Sequence, residues 1–118
     1  SSNLVHLKIT DGRITDIETK SFVNLKVLKH LDLSNNLIHK IRKGMFKGLD
    51  SLKELTLTLN ILFTLKTGGF QYLKSLEILS LISCKIFEIE PGAFKGLIQL
   101  RILDLISNGI FMLKNNTR

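Results

Sequence analysis

LKHLDLSNNLIHKIRKGMFKGLDS, residues 28–51, is one turn of a pattern that recurs every 24 residues along a chain of 118. Large apolar side chains hold its first, fourth and sixth places (Leu28, Leu31, Leu33), its eleventh and fourteenth (Ile38, Ile41), its nineteenth (Phe46) and its twenty-second (Leu49). Steps of 24 from Leu31 reach Leu7, Leu55, Leu79 and Leu103, and the same steps from Phe46 reach Phe22, Phe70 and Phe94. Self-similarity at a fixed period in this range marks stacked repeats, each burying its apolar face only against its neighbours. Five units begin at Leu4, Leu28, Leu52, Leu76 and Leu100, and the last is incomplete.

Within each unit the apolar fourth and sixth places flank a variable fifth, the alternation of a short strand with one buried face. Strands are expected near residues 6–8, 30–32, 54–56, 78–80 and 102–104. About twenty residues return the chain to the same side before each new strand, so the strands run parallel and build one curved sheet. The ninth place reads Gly12, Asn36, Asn60, Cys84 and Asn108, where the chain leaves the strand with backbone groups turned inward. A buried carboxamide both donates and accepts, so stacked Asn side chains satisfy those groups coil after coil. Cys84 shares this column and reads as a buried structural thiol. Gly44, Gly68 and Gly92 precede the Phe by two residues, which points to a turn with positive φ.

With 44% apolar residues the chain can bury a core, which excludes a disordered tail. Seventeen Lys and Arg against ten Asp and Glu give a net charge of +7, favouring acidic partners, matrix polyanions or nucleic acid. Charged or Asn residues interrupt every Leu-rich stretch, so no run has the roughly 18 to 20 apolar residues of a membrane span. One Cys makes no internal disulfide, and the opening SSNLVHL lacks the basic start and apolar core of a signal peptide.

No catalytic, cofactor or metal site emerges. His6, His30 and His39 have no Cys or carboxylate at familiar ligand spacing. His6 and His30 share a column on adjacent strands, roughly 5 Å apart, either as two solvated residues or as a pH-sensing pair. Lys40, Arg42, Lys43 and Lys47 place positive charge on the outer side of the second coil, as a solvated face or a polyanion contact.

The residues quoted so far match the leucine-rich-repeat pattern LxxLxLxxN/CxL over residues 4–114. The 24-residue unit with Phe at its nineteenth place, as in LDLSNNLIHKIRKGMFKGLDSL (31–52) and ILSLISCKIFEIEPGAFKGLIQL (78–100), resembles the class found in animal ectodomains. Toll-like receptors, Slit-type guidance proteins, small proteoglycans and lamprey variable lymphocyte receptors belong to that class. The resemblance implies an α/β fold: a right-handed horseshoe arc with a parallel sheet on its concave face and irregular or short helical segments on its convex face. It also implies Cys-rich caps, which are missing here, so the chain reads as part of a longer extracellular protein. The sequon at Asn115 fits a secreted surface.

Because the scaffold fixes the core columns, recognition falls to the variable ones on the concave face. Their polarity declines along the chain, from His6, Lys8, His30 and Asp32 to Glu54, Thr56 and Thr58, then to Ile78, Ser80, Ile82, Ile102, Asp104 and Ile106. Four Ile on neighbouring strands form an apolar patch of a few hundred Å², the size at which exposed patches mark interaction sites. The nine residues from Glu54 to Ile106 just named are the expected partner site. Phe63, Phe87 and Phe111 share the twelfth column. They either pack back to extend the core or form a lateral face for homodimers, as the Toll-like receptor resemblance implies. The expected function is recognition by an extracellular receptor-like protein, with innate immunity implied by the resemblance and an adhesion or matrix-organising role as the alternative. A protein ligand is the expected partner, with glycan, lipid and nucleic acid left open because the scaffold serves all of them.

Overall fold

The computed structural model describes residues 3–110 and the course of residues 112–113. The main sheet comprises β1 (His6–Lys8), β2 (His30–Asp32), β3 (Glu54–Thr56), β5 (Ile78–Ser80) and β7 (Ile102–Asp104), in that spatial order. All its neighbours are parallel, with partners one repeat apart, as in Leu7↔Leu31 and Leu79↔Leu103. These are the strands expected from the alternation. The central residues Leu31, Leu55 and Leu79 point inward and are no more than 1% exposed, whereas Leu103 in the last strand is 37% exposed.

A second, smaller parallel sheet was not anticipated. β4 (Thr64–Leu65), β6 (Glu88–Ile89) and β8 (Met112–Leu113) pair side by side at the fourteenth place of successive coils. Its apolar members Leu65 and Ile89 are 1% and 2% exposed, so this sheet closes the far side of the core. The convex segments contain no helix among the described residues, which corrects the helical part of the α/β expectation. They turn instead through tight backbone bonds such as Leu25 N–H to Phe22 C=O at 3.0 Å and Met45 N–H to Arg42 C=O at 3.0 Å. Only about ten residues remain for each convex crossing, and a glycine or a positive-φ residue interrupts it, leaving too little chain to repay helix nucleation.

The seventeenth place bends as expected, with Gly44, Gly68 and Gly92 at φ of 84°, 76° and 74°. The four Phe behind this bend stack with ring centroids 6.1–6.3 Å apart and nearly parallel planes. The Asn column is also present. Asn60 accepts from Ile38 N–H at 3.0 Å and donates to Leu33 and Leu57 carbonyls at 3.1 and 2.8 Å, so one buried carboxamide ties two coils together. Asn36 and Asn108 make the equivalent bonds.

Cys84, wholly buried, donates its thiol to Leu57 C=O at 3.0 Å but supplies no carboxamide oxygen. Burial pushes the thiol pKa up, as suits a structural group. The Leu62 N–H, which in neighbouring coils would meet an Asn oxygen, donates to the Cys84 carbonyl at 3.0 Å instead.

On the convex side, Asp16 forms a bidentate ion pair with Arg42 one coil away. The Arg42 guanidinium, helped by the Ile17 N–H, lowers the Asp16 pKa to about 2 from 3.8. A depressed folded-state pKa adds stability that is present above the ordinary carboxylate value and lost as pH falls through about 2. The pair is exposed, so the effect is small. Asp16→Asn is expected to flatten the pH dependence of urea midpoints between about pH 4 and pH 2, and an unchanged slope there would refute the assignment.

Candidate functional site

The concave face is built by the third, fifth and seventh places of each coil, which point away from the core because their neighbours point into it. Hydrogen-bonded register aligns the third places as His6, His30, Glu54, Ile78 and Ile102. The fifth places align as Lys8, Asp32, Thr56, Ser80 and Asp104. The expected site residues from Glu54 to Asp104 on these strands therefore share one surface, with Thr58, Ile82 and Ile106 just beyond the strand ends.

Exposure across the Ile block is graded. Ile102 and Ile106 are 47% and 64% exposed, whereas Ile78 and Ile82 are half-buried between flanking coils. Asp104 shapes the backbone beside this block, because its Oδ1 accepts the Ile106 N–H at 3.1 Å and holds the turn that presents Ile106. Asp32 does the same for Ser34 at 2.9 Å. A row of charge borders the patch at the strand entrances, where Glu77 sits within 3.5 Å of both Lys53 and Arg101.

Sequence reasoning missed Leu59. Each eighth place adopts positive φ, and Asp11, Asn35, Ser83 and Ser107 suit it, but Leu59 takes φ 61° with its side chain 52% exposed. Its N–H donates to Ile82 C=O at 2.9 Å, so it borders the Ile block. The signal was an apolar residue in an otherwise polar column.

At the polar end, His6 and His30 stack with centroids 4.4 Å apart and planes 4° apart, closer than two independently solvated side chains. His30 Nε2 lies 3.9 Å from Glu54 Oε1, while its Nδ1 is buried without a partner. No group of three or more His, Cys, Asp or Glu among the described residues is placed to hold a metal.

Phe63 and Phe87 do not pack back onto the core; they are 44% and 37% exposed on the flank. Phe111 and Asn115 lie outside the described residues. The expected basic segment is divided: Arg42 is engaged by Asp16, Lys47 lies over the Tyr72 ring at 5.8 Å, and Lys40 and Lys43 line a groove with Lys66.

A family model described as Leucine rich repeat matches residues 2–62 and again 50–110. The chain belongs to the leucine-rich repeat family. Among solved structures, this leucine-rich repeat chain is similar to TLR13 in a crystal structure of a TLR13–ssRNA13 complex, with 29% identity and a TM-score of 0.62. The similarity covers 96% of the present chain and 21% of that one. No curated protein matches it. Leucine-rich repeats of this kind are recognition scaffolds. No helix among the described residues is long and apolar enough to cross a membrane.

Proposed function

We propose that this chain is a ligand-recognition module of an extracellular receptor-like protein, acting in innate immune recognition and engaging a protein ligand on its concave face. The observation that carries this reading is the block of Ile78, Ile82, Ile102 and Ile106, which the parallel register sets on neighbouring strands of one sheet face. Exposed apolar surface on a rigid element is disfavoured in water unless a partner covers it, and the ion pairs around Glu77 supply the polar rim typical of protein interfaces. The TLR13 structure holds RNA, so a shared scaffold alone does not choose the ligand class. Here the apolar centre favours protein over a polyanion at this face.

The test places a photocrosslinking residue at Ser80 on the concave face or at Lys26 on the convex face and identifies the protein captured from each. Capture is expected from Ser80 alone, and equal capture from both would defeat the assignment. With that partner in hand, the Ile82→Ser/Ile106→Ser protein should bind about a hundredfold more weakly, ~2.7 kcal/mol, by surface plasmon resonance. An unchanged affinity sinks the concave site.

A further inference from the structure

On the flank opposite the concave sheet, a hollow of about 210 Å³ is lined by His39, Lys40, Phe63 and Lys66 among others. It shares Lys40, Ile41 and Lys66 with an adjoining cleft of about 440 Å³ that adds Lys43, Thr19 and Thr67. The two form one groove across the second and third coils.

Phe63 occupies this groove in a conformation that bulky residues avoid, with φ 61°. The Thr64 N–H donates back to the Leu62 C=O at 2.6 Å, so Phe63 is the centre of a three-residue turn of the rare positive-φ kind. The hydrogen bonding next to it differs as well: Leu62 N–H donates to the Cys84 backbone carbonyl, where Ile38 N–H of the second coil meets the Asn60 side chain. Lys85, beside that cysteine, is the one tenth-place residue among the described coils with positive φ, at 57°. Strain of this kind persists where surrounding structure imposes it, and it gathers at ligand sites.

The charge of the groove is available for a ligand. Among the described residues, Lys40, Lys43 and Lys66 have no carboxylate within ion-pair distance, whereas Arg42 is engaged by Asp16. Of the nearby acids, Asp16 pairs with Arg42 and also feels the charge of Lys40, Glu90 accepts the Thr67 N–H at 3.0 Å, Glu18 lies beyond Arg42 at the far end, and Glu88 is the register partner of Thr64 in the second sheet. The chain thus sets an exposed aromatic ring beside three unpaired cations.

We infer that this groove binds single-stranded nucleic acid, with an unstacked base over Phe63 and neighbouring phosphates on Lys40, Lys43 and Lys66. An aromatic platform next to a lysine row is the arrangement that takes single strands without regard to sequence. A base inside a duplex offers no free face to the ring. A sulfated glycan would satisfy the lysines but has no aromatic face to match Phe63. The site is separate from the concave surface, so either can fail without the other.

The experiment is fluorescence anisotropy of a labelled ten-nucleotide oligouridylate with the 118-residue chain from 50 to 200 mM salt, with a heparin hexasaccharide run in parallel. Log affinity for the RNA should fall with log salt at a slope of about −2, as three phosphate contacts on a single strand require. Lys40→Glu/Lys66→Glu should weaken binding at least tenfold, and Phe63→Ser by roughly 5- to 150-fold for RNA while leaving heparin unchanged. Both variants change exposed side chains, and circular dichroism should show the wild-type fold. No binding of the RNA, RNA binding indifferent to Phe63→Ser, or heparin binding with no RNA binding would each overturn the proposal.

Discussion

Asn60→Ala is expected to destabilise the protein by about 3 kcal/mol. The carboxamide is 2% exposed and serves three buried backbone groups, the N–H of Ile38 and the carbonyls of Leu33 and Leu57. Alanine replaces none of these bonds: Ile38 N–H loses its acceptor, while Leu33 C=O keeps the Asn36 carboxamide at 3.0 Å and Leu57 C=O keeps the Cys84 thiol at 3.0 Å. The orphaned N–H costs about 1–3 kcal/mol, and the loss of the two bonds to the carbonyls adds roughly 0.5–1.5 kcal/mol. That loss is a large fraction of the roughly 5–15 kcal/mol that holds a typical domain together. Asn60→Cys is the informative companion. At position 84 a thiol already keeps the bond to the preceding coil, to Leu57 C=O at 3.0 Å, so cysteine at 60 should recover part of what alanine loses. Urea unfolding of the three proteins measures the series; a cost below about 1 kcal/mol for alanine would mean that the column is not a structural ladder.

Gly48→Ala should be comparably damaging, by about 2–5 kcal/mol, through a different mechanism. Gly48 has φ 98°, and an added Cβ would stand 2.5 Å from the Val23 Cα and 3.0 Å from its carbonyl oxygen. The obstacle is the backbone of the preceding coil, which no rotamer change can move. Positive φ alone costs an L-residue roughly 1–2 kcal/mol, and forcing two coils apart adds about 1–3 more. Gly68→Ala separates the contributions. Its φ of 76° is similarly unfavourable, but the nearest atom is Gln71 Oε1 at 3.1 Å, the end of a flexible side chain. Thermal unfolding should place Gly68→Ala well above Gly48→Ala; equal midpoints would show that the coil contact carries no weight.

These two positions also show where the sequence could be read and where it could not. The strands, their register and the Asn column were legible because each depends on a residue's place in its own repeat: an alternation, or a carboxamide at a turn. The two-residue strands β4 and β6 were not, since Thr64–Leu65 and Glu88–Ile89 are too short for any periodicity to show. The helical expectation for the convex side came from resemblance rather than from residues. The positive φ of Phe63 goes with a backbone bond from Leu62 to Cys84 in the next coil, which no local reading of LNILFTL could reveal. Within the concave site the Ile block was legible as composition, but its graded exposure reflects which coils flank each strand. The stacking of His6 on His30 was legible as proximity and missed as contact, because side-chain orientation is a matter of packing.

The parallel register has a further consequence. Every described strand partner in the main sheet lies 24 residues away, from His6↔His30 to Ser80↔Asp104. Such an architecture has a reading frame. Duplicating or deleting a whole unit preserves the facing of every remaining side chain, whereas a slip of one residue within a strand exchanges its inner and outer faces. Each inserted unit brings one new row of three outward residues and leaves the rows around it as they were. The concave surface of this protein can therefore grow or shrink by whole rows, with the existing rows carried along intact.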